Sequence, residues 1–271
     1  MAGLRMTVCL PAKARDGDLA AAIGAAMAPF EEDHTSDEAR DIWDRWTVRG
    51  GSDGCGYFVA PGYADDPRLV HDTPWSVGEE LPSLPGMSAG GPREALDFTE
   101  PRTRARTALG AGWDLWRRIN ADGRPVQPLS RFKARYESEH GASSVPEAFW
   151  DYRAQPKVGE FYDHWDRTTR IPGMLNFGYS SLTDLDSWFA GDREEFVERE
   201  APRALRHFGD LLTLDGWWIE AGRNDAGVHG PCGEPVPCEH APDDPLCLTD
   251  QITYLESLPD DALLVTLKCH V

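Results

Sequence analysis

The chain has 271 residues, a hydrophobic fraction of 41% and a formal charge of −19, from 46 acidic against 27 basic residues. That apolar content suffices for a packed core and excludes wholesale disorder. A surface this acidic repels phosphate backbones and anionic lipids, which argues against direct nucleic-acid binding and membrane association.

The first element in chain order is "MTVCLPA", a β-type run with Met6, Val8 and Leu10 on one face and Thr7 and Cys9 on the other. "DGDLAAAIGAAMAPFEED" follows. Asp16 or Asp18 can cap a helix whose Leu19, Ile23, Met27 and Phe30 recur at helical spacing, and Pro29 marks its end. "DIWDRWTVRGGSDGCGYFVAPG" then reads as an aromatic turn, a glycine-rich loop and a strand from Tyr57 to Ala60.

Residues 62–213 differ in character, with an irregular Pro/Gly/Ser-rich opening followed by helical patterns such as "ARTALGAGWDLWRRIN", "SRFKARYESEH", "VPEAFWDYRAQ" and "DREEFVEREAPRALRHFGDLL". Aromatic residues are dense in this part of the chain, and the whole reads as a largely helical insertion. The tail returns to a strand, "DGWWIEAG", a Cys/His-bearing loop, a helix with Ile252, Leu255 and Leu258 on one face, and the strand "ALLVTLKCHV".

With the insertion removed, residues 1–61 and 214–271 run strand, helix, strand, strand, helix, strand. That order predicts an α+β core of the ferredoxin-like split βαβ kind, with an antiparallel sheet and its first and last strands adjacent. Leu263, Val265, Leu267 and Cys269 should meet both helices on one face. The opposite face should then be covered by the insertion, a second subunit or a ligand.

Two stretches carry a resemblance. "WDRWTVRGG" (43–51) resembles the W-D-W-Y-x-[IV]-G-G-R-W motif of a family of uncharacterised bacterial and phage proteins, and "LPDDALLVTLKCHV" (258–271) is similar to that family's L-P-D…D-C-H-[IV] ending. The resemblance covers the two ends of the chain and not its middle. It departs at Arg45, Trp46, Arg49 and Lys268, the last standing where the family has Asp before Cys-His. The family has no established activity, so the resemblance implies no mechanism.

The chemistry-bearing residues fall into several groups. His229, Cys232, Cys238 and His240 are spaced H-x2-C-x5-C-x-H in a Gly/Pro-rich stretch, a donor set suited to a structural zinc, with an unmetallated loop as the alternative. "RGGSDGCG" could cradle an anion on backbone N–H groups beside Arg49, or simply form a tight turn. His164, between Asp163 and Asp166, could act as a base or as a structural histidine. Cys269 and His270 are adjacent in a strand and point to opposite faces, so they cannot form a nucleophile–base pair.

The resulting expectation is a small-molecule-binding protein or enzyme, with a site between the sheet face and the aromatic-rich insertion. Asp44, Arg49, His164, Glu220 and His270 would supply its polar and acid–base groups. The competing expectation is a non-catalytic acidic interaction or inhibitor protein of phage or mobile-element type, working as a homodimer or through a protein partner. No run approaches the ~20 apolar residues of a membrane span. The opening apolar run is too short for a signal peptide, so the expected location is the cytoplasm, where the six cysteines would be reduced.

Overall fold

The computed structural model describes residues 3–15, 17–31, 42–74, 81–140, 145–168, 173–177, 184–207, 209–221, 227–230 and 251–270. Its strands are β1 (Gly3–Leu10), β2 (Arg45–Val48), β3 (Tyr57–Phe58), β4 (Met87–Ser88), β5 (Gly90–Pro92), β6 (Leu175–Phe177), β7 (Leu205–His207), β8 (Asp210–Leu212), β9 (Trp217–Ile219), β10 (Val228–His229) and β11 (Leu263–His270). Its helices are α1 (Leu19–Met27), α2 (Thr99–Ile119), α3 (Leu129–His140), α4 (Val145–Arg153), α5 (Pro156–Thr168), α6 (Leu185–Trp188), α7 (Arg193–Ala204) and α8 (Gln251–Ser257). The chain divides into two compact units. The first is Met1–Glu100, Pro172–Asn176 and Arg206–Val271; the second is Pro101–Ile171 and Phe177–Leu205.

The first unit is built on a seven-stranded sheet in the order β10-β9-β8-β1-β11-β2, with β5 also paired to β11. β1 and β11 pair antiparallel over their full length, from Gly3 opposite His270 to Leu10 opposite Leu263, with Val8 opposite Val265. The far edge of β11 is shared, β2 pairing with Leu267–His270 and β5 with Leu263–Val265. The two stretches that carry the family resemblance are therefore neighbouring strands.

The sheet is antiparallel-dominated but mixed, because β8 runs parallel to β1 through Thr7 opposite Leu211. The ferredoxin-like split βαβ order expected from the sequence is not confirmed by this arrangement. Three short segments account for the difference. Arg45–Val48, read as a turn, is a sheet strand, whereas Tyr57–Phe58 pairs with β4 in a separate two-stranded ribbon. Asp210–Leu212, read as the end of a helix, is β8. The helical pattern of that segment breaks at Ala204, two residues after Pro202.

One face of the sheet carries Met6, Val8, Leu10, Leu212, Trp218, Leu263, Val265, Leu267 and Cys269, packed with Ile23, Met27 and Phe30 from α1 and the turn after it. Asp18 caps α1, accepting from the Ala20 and Ala21 N–H groups. α8 does not join this face. Its Gln251 and Tyr254 reach His207 and the Leu214 backbone on the other side, so the two helices lie on opposite faces rather than together. The second face is closed by elements of the same unit: Tyr57 of β3 and His207 both bond Thr7, and Thr7, Cys9, Leu264 and Thr266 are all buried.

The second unit is helical and its core is aromatic. Phe161 stacks on Trp165 at 5.4 Å and meets Trp116 and Phe189 edge-on, while Trp188 packs against Phe196. Gly112 is required by this packing, because a Cβ there would stand 2.1 Å from the Trp165 ring. Among the described residues no helix is long and apolar enough to cross a membrane.

Candidate functional site

The residues singled out from the sequence do not converge on one place. Asp44 and His270 do meet: His270 Nδ1 lies 2.9 Å from each carboxylate oxygen, at an edge where both side chains are about one-third exposed, 35% and 32%. The carboxylate can only accept, so Nδ1 carries a proton directed at Asp44. Arg49 sits at the other end of β2, five residues of extended chain and roughly 16 Å from Asp44. Glu220 is exposed just beyond β9, three strands away from β11.

His164 is exposed on α5 in the second unit. Its flanking carboxylates are engaged elsewhere, Asp163 and Asp166 both bonding Arg153 of α4. Cys269 is buried in the first-face core, where burial raises its thiol to about 12, while His270 faces the other way. Of the four zinc candidates, His229 lies in β10, stacked on Trp217 at 4.6 Å with Nε2 2.9 Å from the Asp215 carbonyl oxygen. Cys232, Cys238 and His240 lie outside the described residues, among which no three His, Cys, Asp or Glu side chains come together to hold a metal.

The glycine loop is an anion cradle, and its anion comes from the chain itself. Asp72, with a fully buried side chain, accepts from the N–H groups of Gly50 (3.0 Å), Gly51 (2.8 Å) and Ser52 (3.1 Å) and from the Ser52 hydroxyl. Arg49 stands 3.9 Å away and balances the charge. The loop closes on itself through Gly56 N–H to Gly50 O, and a Cβ at Gly56 would stand 2.0 Å from the Ser88 carbonyl oxygen.

A second polar chain crosses the closed face of the sheet. Tyr57 Oη is 2.6 Å from Thr7 Oγ1, which is 3.0 Å from His207 Nε2; His207 Nδ1 faces the Gly209 carbonyl at 2.9 Å and Gln251 Oε1 at 3.0 Å. Both oxygens facing Nδ1 accept, so Nδ1 donates, Nε2 accepts from Thr7, and Thr7 accepts from Tyr57. Burial holds His207 down at about 4 and pushes the Tyr57 phenol up. With Thr7 at 0% exposure, the chain ties β1, β3 and α8 together and no substrate reaches it. Asp210 is used in the same way, accepting from Trp218 Nε1 and Ala221 N–H.

A concavity of the first unit lies elsewhere, in a groove of about 630 Å³ beyond the carboxyl ends of the parallel strands β1 and β8. Ala22, Ala25, Ala26, Pro29 and Phe30 form one wall, Leu10 and Leu212 the floor, and Leu214–Gly216 the opposite rim. Among the described residues, Lys13, Asp18 and Asp215 are its charged ones. Leu214 is 38% exposed, one of three large apolar side chains so exposed among the described residues. The sequence carries a signal for this wall, because an alanine-rich helix that buries only Ile23 and Met27 leaves its small-residue side uncovered.

No protein-family model, curated protein or solved structure matches this chain.

Two measurements test the internal roles. Asp72→Ala strips the acceptor from three backbone N–H groups beside a buried guanidinium and should cost about 3–5 kcal/mol in chemical denaturation; a loss below about 1 kcal/mol would refute the clasp. Between pH 6.5 and 4 the unfolded chain binds a proton at His207 that the folded protein excludes. Stability should therefore fall as pH drops through that window, by on the order of 3 kcal/mol in full. His207→Asn, which cannot titrate, should flatten this slope in urea midpoints measured across the window, and an unchanged slope would mean the imidazole is already protonated in the fold.

Proposed function

We propose that this protein binds a small molecule in the groove beyond β1 and β8. The observation that carries the reading is the position of that groove. Ligands of α/β sheets collect in the crevice outside the carboxyl ends of parallel strands, and apolar walls with a few polar groups are the usual lining of such sites. The sheet face first expected to floor a site is occupied by Thr7, Tyr57 and His207, which moves the reading to the groove.

Binding is favoured over catalysis for a geometric reason. The Asp44–His270 pair has the make-up of an acid–base dyad, but His270 ends β11 while the groove lies at the Leu263 end, roughly 23 Å along the strand. Within the groove, Asp18 serves as the helix cap and Asp215 accepts from the Thr213 hydroxyl. A substrate in the groove would therefore find no positioned base among the residues assigned. The acidic-interaction alternative rests on the net charge of −19 alone.

A structural zinc on His229, Cys232, Cys238 and His240 is kept as a second proposal, supported by one observation. His229 Nε2 donates to the Asp215 carbonyl oxygen, and a metal-ligating histidine commonly donates one ring nitrogen to such an acceptor.

Ala22 is half-buried on the groove wall. Ala22→Trp should fill the groove, leave the thermal midpoint within a few degrees of the parent and abolish every stabilising hit from a small-molecule thermal-shift screen. Hits that survive the substitution would place the ligand elsewhere and overturn the groove reading. For the metal, native mass spectrometry should find one zinc per chain that a chelator removes; a metal-free chain whose cysteines alkylate freely while folded would end that proposal.

A further inference from the structure

We infer that the ligand of this groove is a cationic amphiphile: an apolar body against the α1 wall, with one protonated amine paired to Asp215. The inference rests on the groove reading above and goes beyond it by naming the class of ligand.

Asp215 stands on a turn that its neighbours hold firmly. Thr213–Gly216 joins β8 to β9 and closes through Gly216 N–H to the Thr213 carbonyl at 3.1 Å, with Gly216 at φ +88°. A side chain would be strained at that φ, so the glycine permits the tight return. Tyr254 Oη accepts from Leu214 N–H at 2.8 Å, and His229 Nε2 donates to the Asp215 carbonyl oxygen at 2.9 Å.

The same turn orients the carboxylate. Trp217 N–H donates to Thr213 Oγ1 at 2.9 Å, and the Thr213 hydroxyl donates in turn to Asp215 Oδ1 at 2.5 Å. Thr213 is itself buried. Asp215 Oδ2 accepts nothing among the described residues, and the residue is exposed at the groove rim. Burial first, and the Asp215 charge after it, push up the thiol of Cys9, another lining residue, so the carboxylate stands near the groove floor.

Charge favours a cation at this carboxylate. Among the described lining residues, one lysine against two aspartates leaves a single negative charge. Lys13 and Asp18 both belong to the α1 side, where they offset each other, and Asp18 Oδ1 is committed to the Ala20 and Ala21 N–H groups. The charge left over is that of Asp215 on the opposite rim. A singly charged amine there would leave the groove neutral, whereas a carboxylate would double its negative charge. The net charge of −19 on the whole chain draws cations in the same direction.

The remaining lining suits the other end of such a molecule. Leu10, Ala22, Ala26, Pro29, Phe30 and Leu212 offer no hydrogen-bonding side chain, so the body they contact is apolar. Phe30 is itself packed on Trp218 at 5.1 Å, which makes that wall firm rather than yielding.

The test uses three eight-carbon probes, octylammonium, octanol and octanoate, titrated by calorimetry into the full chain and into Asp215→Asn, Lys13→Met and Ala22→Trp. The salt is held at about 0.15 M, where attraction to distant surface charges is screened. Asp215→Asn keeps an oxygen for the Thr213 hydroxyl and removes the charge. Octylammonium should bind about fivefold tighter than octanol, as a partly exposed ion pair allows, with octanoate the weakest. Asp215→Asn should erase that advantage and leave octanol unchanged. Lys13→Met should leave octylammonium no weaker, because it removes only a repulsion. Ala22→Trp should remove all three.

Octanol binding as tightly as octylammonium, or an octylammonium preference that survives Asp215→Asn, would overturn the charge assignment; loss of both in Ala22→Trp would then leave the groove reading standing. Tightest binding by octanoate would overturn it equally. Binding of none of the probes to the parent chain would overturn the amphiphile inference, and the thermal-shift screen of Ala22→Trp then decides the groove reading separately. Octylammonium binding that persists in Ala22→Trp would be attraction to the acidic surface at large and would overturn the inference, with the groove reading again decided by the screen.

Discussion

The structure of the first unit depends on the pairing of the two ends of the chain. β1 and β11 lie antiparallel over eight residue pairs at the middle of the sheet. Closing so long a loop costs entropy only logarithmically in its length, while the pairing removes two uniformly apolar rows from water. Once Val8 faces Val265, the alternation of side chains sets both faces at once. Met6, Val8 and Leu10 go to the α1 side, and Thr7 and Cys9 go to the other. The other described strands of the sheet, α1 and α8 are placed relative to that pair.

What the buried polar residues of this unit do explains why site residues chosen by type scatter. Thr7 is a hydroxyl in the middle of a buried sheet and must find partners, and it finds Tyr57 and His207. Asp72 is a wholly buried carboxylate, and three N–H groups of a glycine loop converge on it. Asp210 satisfies an indole and an amide. In each case a residue of catalytic type is consumed in holding a loop or an edge to the sheet. Burial reinforces the role by keeping His207 neutral at ordinary pH.

The groove is the complement of that economy. It forms where α1, rich in alanine, passes over the ends of β1 and β8 without filling the space, and where Leu214 is left in solvent at the rim. Among the described residues it has three charged side chains, of which Asp18 caps α1 and Asp215 accepts from the Thr213 hydroxyl. The proposed small molecule would sit on this apolar, concave patch, with the rest of the unit as the rigid frame around it.

The sequence by itself determined the terminal strands, the helix after β1, the helical middle of the chain and the adjacency of first and last strands. These follow from long, strongly periodic segments, in which eight or more residues repeat the same in–out pattern. It also determined that Cys269 and His270 face apart, because strand alternation leaves no choice. Only the tertiary structure decided the rest. β2 and β8 are four and three residues long, too short for a period to declare itself, and their neighbours supply the hydrogen bonds that make them strands. The meeting of Asp44 with His270, the capture of the Gly50–Ser52 amides by Asp72 and the hollow beside α1 all join residues distant in the chain. No local pattern encodes them, because each depends on how the strand ends and loops pack once the sheet has formed.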